Sequence, residues 1–435
     1  MMGKWILVVT LCMRLFIFSG SVKSNGVILD KLVQQLDTSH SLVAWAFALQ
    51  NAVAMLLCKY FHRYYFCPAP FTLILLRVFS NRQLCIVGGV LCGAGYVYCG
   101  LFLNSVWQVF VGFIVSSIGF TFSGLPAFFV LQQYFSPEDL PKIISVTVLC
   151  DYLGVAALPP VLQYFLNQYG LKNSLLLFGA LVLNVIACGV ASKVPRSLRK
   201  SKLQATKTEK RKEEENISKK RKLIRSFTEV FDFVSTLFQH KNIVTLIVLE
   251  FVAYYVFISW ALFLVSLGKS LGLSPTEAVL LSTGGGIGGF VGRLIAVFLF
   301  QYQKMNAFSS SLLPNLITGI SLLVITFQSN FYIIMFLSFL SGLSQGINIS
   351  GIYGLVPTIV CFHHYKCAIC FENTFGGIAV QFSGLLSGKL RHHLEVLTSK
   401  LRNPVDQVYE FRYPSASKGI CISNRSLPEL EFILL

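Results

Sequence analysis

The sequence predicts an all-α, polytopic membrane protein, on three observations. The 435 residues are 54% hydrophobic and only 13% charged, against about 25% charged in soluble domains. The apolar residues come in blocks of about 20, each long enough to cross a hydrocarbon core of roughly 30 Å as a helix. Polar breaks separate these blocks along the chain, the pattern of a protein that satisfies its backbone within helices. A net charge of +17 would suit nucleic acid. Most of the excess lies in loops beside the blocks, however, so the expected partner is a lipid bilayer and not a nucleic acid.

The first apolar block, residues 5–28, reads as a transmembrane helix. It is too long for a signal-peptide core, and a second block follows closely. It contains Arg14 and Lys23, both unusual at membrane depth, and Arg14 is expected on a wet face. Helix 2 starts near Ser41 and is interrupted by KYFHRYYFCPAP at 59–70, where two prolines and several charged or titratable side chains mark a break. Helix 3 is read over 83–103, helix 4 over 107–130, helix 5 over 143–165 and helix 6 over 172–192. Asp151 falls inside helix 5. Residues 1–192 therefore form an N-terminal transmembrane bundle.

The texture changes at 193–240. Between Arg196 and Arg225 there are thirteen Lys/Arg against four Glu, the composition of a solvated loop. The positive-inside rule makes this loop cytoplasmic, and with six helices before it the N-terminus is cytoplasmic too. Helix 7 follows over 242–266, with Glu250 and Trp260 inside, then helix 8 over 276–300. Helices 9, 10 and 11 are read over 308–327, 331–361 and 368–390. Residues 241–391 make a C-terminal bundle, and 392–435 a polar tail without another apolar block. Six helices, a basic loop and five more imply a two-half transporter plan lacking its twelfth helix.

Helix 8 carries the most informative side chain. Arg293 is the one charge deep inside an apolar, glycine-rich span. A bare guanidinium there costs at least about 2.5–3.5 kcal/mol, so Arg293 should face a protein interior or a wet cavity. The run GGGIGG at 284–289 lacks the preceding strand and the G-x-G-x-x-G spacing of a dinucleotide loop, and reads as close helix packing. Cys367 and Cys370 have a C-x-x-C spacing with no second pair at zinc-ligand distance. The pairs His363-His364 and His392-His393 are adjacent, not one turn apart on a helix face. No metal, no cofactor and no enzyme chemistry is expected.

Several separated stretches carry a resemblance to a known family. Lys23-Ser24 precede GVILDKLVQQLDTS, and Trp5 lies eighteen residues before Lys23. Arg82 leads Ile86-Val87-Gly88-Gly89. Tyr134-Phe135 start a fifth-helix signature in which Gly154 is recognisable, with Pro137, Glu138 and Asp139 in place of basic residues. Phe231-Asp232-Phe233 and Leu237-Phe238-Gln239-His240 lead into helix 7, and Gly268-Lys269-Ser270 leave it. Leu280-Leu281-Ser282 and Gly292-Arg293 mark helix 8. In this order they resemble the monocarboxylate transporter family of the major facilitator superfamily, over about residues 5–391.

The resemblance implies a major facilitator fold of two six-helix bundles, with about eleven helices present here. It implies a plasma-membrane solute carrier for small organic anions, monocarboxylates or related amino acids, working by alternating access. Lys23 and Arg293 take the positions of the family's substrate-handling cations; Asp151 and Glu250 are the candidate proton or charge partners. Fixed cations suit a carboxylate in a partly desolvated cavity, and arginine can grip it in bidentate fashion. Symport with protons is a family property, but the position four residues before Arg293 is Gly289, where proton-coupled members keep an aspartate. That departure favours facilitated transport. A single-span immunoglobulin-domain chaperone such as basigin is the implied partner. The rival expectation is a non-transporting or splice-altered membrane protein of the same fold, with an assembly or regulatory role.

Overall fold

The computed structural model describes residues 2–58, 79–135, 140–191, 241–301, 308–328, 330–359 and 375–387. The interruption at 59–70, the basic loop, the C-x-x-C pair, both histidine pairs and the polar tail lie outside the described residues. Seven described helical stretches are long and apolar enough to cross a membrane, and Ser310–Thr326 and Phe375–Ser387 are shorter apolar helices. All regular structure among the described residues is helical.

Helix α1 spans Met2–Leu36 and runs beyond the apolar block that ends at 28. No proline interrupts it, and its polar end finds partners on another helix. It stops before Asp37, which adopts the left-handed conformation at φ 45°. Helix α2 is His40–Cys58. Helix α3, Asn81–Leu101, begins with a capping box in which Ser80 and Gln83 satisfy each other's backbone amides. Helix α4 is Val106–Tyr134.

Helix α5, Leu140–Val182, contains two expected spans joined at Gly170, whose φ of 71° turns the chain. That conformation favours glycine. Pro159 and Pro160 lie inside the first span; membrane helices tolerate this when neighbours satisfy the freed backbone groups. Helix α6, Val185–Ala191, continues the second span. The C-terminal set comprises α7 (Lys241–Ser270), α8 (Pro275–Gln301), α9 (Leu313–Thr326), α10 (Phe331–Ile359) and α11 (Phe375–Ser387). A π-helical turn, Phe308–Leu312, leads into α9.

Small residues set the helix spacing. The α8–α10 seam is a reciprocal glycine ladder: a Cβ on Gly288 or Gly292 would strike the Phe339 or Leu343 carbonyl, and one on Gly342 or Gly346 the Gly285 or Gly289 carbonyl. The GGGIGG run therefore serves close packing, as small-residue seams do where lipid supplies no hydrophobic drive between helices. Two further seams join the N- and C-terminal sets. Gly26 brings α1 against α7, where a Cβ would lie 2.7 Å from the Leu262 carbonyl oxygen. Gly286 brings α8 against α5, where a Cβ would lie 2.6 Å from Ala156. Large apolar side chains such as Trp107, Phe298, Phe336 and Tyr332 point outward, as the lipid-facing surface of a membrane bundle requires.

The seam yields a stability prediction. Gly342→Leu should force α8 and α10 apart and destabilise the detergent-solubilised protein, at a cost on the overpacking scale of about 1–3 kcal/mol or more. Gly319→Ala, at a position with nothing within 4 Å of a new Cβ, should be neutral or slightly stabilising. Thermal unfolding monitored by size-exclusion chromatography would measure both.

Candidate functional site

Arg293 is buried on α8 and turned toward α5. Its Nη1 donates to Asp151 Oδ2 at 3.1 Å and to the Val148 carbonyl at 2.5 Å. Asp151 Oδ1 accepts a 2.9 Å bond from Ser19 of α1. The guanidinium also lies 4.7 Å from the centre of the Tyr152 ring, within cation–π range. Three helices thus converge on one carboxylate, and the ion pair crosses between the two helix sets. Its burial makes the pairing obligatory: removing one partner from a buried pair costs about 3–5 kcal/mol. Arg293 Nε keeps a donor without a hydrogen-bond partner among the described residues.

Gly289 has a steric reason to lack a side chain. A Cβ there would run into the Tyr152 ring. The carboxylate beside Arg293 comes instead from Asp151, the neighbour of that tyrosine and a residue of the opposite set.

Lys23 is 1% exposed and has a different kind of partner. Its Nζ donates to the Trp260 carbonyl at 3.0 Å and sits 3.2 Å from the centre of a Trp260 ring. Among the described residues Lys23 forms no ion pair. Trp260, on α7, is itself 1% exposed. Its Nε1 donates to Ser341 Oγ on α10 at 3.0 Å, and Gly285 of α8 makes room for its ring, since a Cβ there would lie 2.6 Å away. Gly285 precedes Arg293 by a little over two helical turns, about 12 Å along the axis. In this conformation the two cations occupy separate stations, each held by the other helix set.

Glu250 is buried on α7, ten residues and about 15 Å along the helix from Trp260. Arg14 was expected on a wet face and is buried instead, at 6% exposure. Its Nη2 donates to the Phe120 carbonyl at 2.6 Å, its Nε reaches Ser123 Oγ at 3.4 Å, and Gly124 leaves room for the guanidinium. The sequence marks Arg14 as unusual but hides its partner, because nothing near it in the chain announces an α4 carbonyl.

A further cross-set contact lies where α1 ends and α7 ends. Asp30 Oδ2 pairs with Lys269 Nζ at 3.0 Å, and its Oδ1 accepts from Ser266 and lies 3.6 Å from His40 Nε2. Nearby, Trp45 donates to Gln381 at 2.6 Å and Ser41 to the Leu385 carbonyl at 3.2 Å, joining α2 to α11. Polar contacts thus join the described sets at several places, among them Asp30–Lys269 with its neighbours, Lys23 with the Trp260 carbonyl, and Asp151–Arg293. Of the candidate residues, Arg293 and Asp151 meet directly, while Lys23 is held at Trp260.

The family model for the Major Facilitator Superfamily matches residues 11–384. Monocarboxylate transporter 2 of Homo sapiens is 27% identical over 267 residues, covering 60% of this chain and 52% of the relative. The chain thus spans about half the length of that relative. Monocarboxylate transporter 2 of Mus musculus is 24% identical over 382 residues, covering 86% of this chain and 75% of the relative. Among solved structures, a D-xylose–proton symporter superposes with a TM-score of 0.65 at 14% identity, covering 89% of this chain and 90% of that one; at that identity the likeness concerns the fold alone. With helices as the regular structure of the described residues, apolar spans of membrane length and a family match across most of its residues, the chain belongs to the Major Facilitator Superfamily and is a multi-span membrane protein.

Proposed function

We propose that this chain is a transporter that carries small organic anions, monocarboxylates or related amino acids, across the plasma membrane by alternating access. The observation that carries the reading is the state of the buried cations. Arg14, Lys23 and Arg293 are all buried within spanning helices. Among the described residues Lys23 rests on an aromatic ring and a carbonyl instead of a carboxylate, and Arg293 Nε has no hydrogen-bond partner. Positive groups held at membrane depth without full anionic compensation are an electrostatic trap for an incoming carboxylate. The similarity to transporters named for monocarboxylates points to the same substrate class.

In the proposed cycle Lys23 and Arg293 bind substrate, and Asp151 is the charge partner that releases Arg293 as the halves rock apart. Glu250 is a second candidate carboxylate on α7. Tyr152 fills the space beside Gly289, so helix 8 offers no acid next to Arg293. Facilitated movement of the anion is accordingly the preferred mode over symport with protons. The proposed orientation places the N-terminus and the 193–240 loop in the cytoplasm, on the charge distribution of the sequence. A basigin-type membrane chaperone is proposed on the family resemblance alone.

Two measurements test this. Cells with confirmed surface expression should show saturable uptake of labelled lactate, pyruvate or an aromatic amino acid, unchanged by an inward proton gradient. Arg293→Gln should reduce that uptake by at least tenfold, about 1.4 kcal/mol or more in transition-state terms. Normal surface expression with no uptake of any of these compounds would sink the proposal.

The second measurement is a double-mutant cycle on the ion pair. Arg293→Gln and Asp151→Asn should each lower thermal stability, because each strands a buried charge. The double variant should recover most of the loss without recovering uptake, leaving a coupling term within about 0.5–3 kcal/mol. Additive losses would mean that the pair does not couple the two helix sets.

A further inference from the structure

Trp260 is the point where α1, α7, α8 and α10 meet, and nothing in the anion-carrier reading assigns it a task. Its ring contacts the Lys23 ammonium, its indole N–H is anchored to Ser341, and Gly285 is the cleft that admits its edge. All these contacts are buried. A lysine ammonium has three donors and normally gathers anions or several carbonyls. Here it has one carbonyl and one π face, both from the same residue of the opposite helix set. A cation–π contact gains strength when it is desolvated, as this one is. That stabilises an otherwise unpaired ammonium, yet a carboxylate in a desolvated site is a stronger partner. The indole is therefore a partner of intermediate strength: enough to hold the empty site together, and weak enough to be exchanged.

We propose that Trp260 is the resident partner of Lys23 in the empty carrier, and that a substrate carboxylate displaces it from the ammonium. Trp260 is then a positioning and specificity-determining residue. Its release removes one of the contacts that hold α1 to α7 when substrate arrives, and its bulk limits the size of the acyl group that fits beside the carboxylate. The inference rests on the reading of Lys23 as a substrate-binding cation.

The chain has four tryptophans, so a variant with Trp5, Trp45 and Trp107 replaced by Phe leaves Trp260 as the sole indole emitter. The full chain, reconstituted in lipid nanodiscs, would be titrated with lactate, pyruvate and phenylpyruvate. A protonated amine against an indole quenches its emission. The expected result is a saturable rise in Trp260 emission, half-complete at the concentration that half-saturates uptake of the same compound. Lys23→Met should start bright and lose the rise. In the otherwise unaltered chain, Trp260→Leu should raise the ratio of phenylpyruvate to pyruvate uptake several-fold. Saturable uptake with flat Trp260 emission, or a rise that persists in Lys23→Met, overturns the displacement while leaving the anion-carrier reading intact. Absence of both uptake and emission response for all three carboxylates overturns both.

Discussion

The structure depends on one electrostatic constraint: a charge at membrane depth cannot stand without a partner. Arg293, Lys23 and Asp30 each lie on a spanning helix, and each finds its partner on a helix of the other set. Lipid offers little hydrophobic drive to hold two bundles together. Polar contacts of this kind can therefore decide which face of one bundle meets which face of the other. The cost of separating them is an exposed charge, and that cost falls if water or a substrate anion takes the vacated place.

Close packing makes those contacts reachable. Arginine and lysine side chains are long, but the partners here are short: a carboxylate one methylene from its backbone, and a backbone carbonyl. Such partners come within hydrogen-bond range only where helices approach nearly backbone to backbone. Gly26 provides this at the α1–α7 seam and Gly286 at the α5–α8 seam. At Gly289 the same smallness does a second thing, because the vacant side-chain volume is taken by Tyr152. The lack of a side chain at Gly289 and the presence of Asp151 beside Tyr152 on α5 are one packing solution seen from two sides.

In the proposed alternating-access cycle the polar contacts have distinct parts. The Asp30–Lys269 and Asp151–Arg293 contacts sit at different levels of the interface, so the proposed rocking about a central site would strain one while it preserves the other. On α1, Lys23 lies in chain order between Ser19, which bonds Asp151, and Asp30, which pairs with Lys269. A small anion near Lys23 would meet a cation already desolvated and already oriented, so little reorganisation is needed when it binds.

The sequence by itself determined the class of the protein. Blocks of about twenty apolar residues and the basic loop between them lead to a helical, two-half membrane protein before any coordinate is known, because membrane thickness and backbone hydrogen bonding leave few alternatives. The oddity of Arg293 and Lys23 was equally legible, since a charge inside an apolar run is visible without a fold. Their partners were not. Asp151 and Trp260 stand 142 and 237 residues away from them, and neither separation has a periodicity that a sequence can display. Arg14 shows the same limit: its partner is a backbone carbonyl of α4, a group every residue possesses. Tertiary structure decided which cation meets which acceptor, because that depends on which helix faces approach, and the approach is set by glycines whose role appears only against the helix that packs on them.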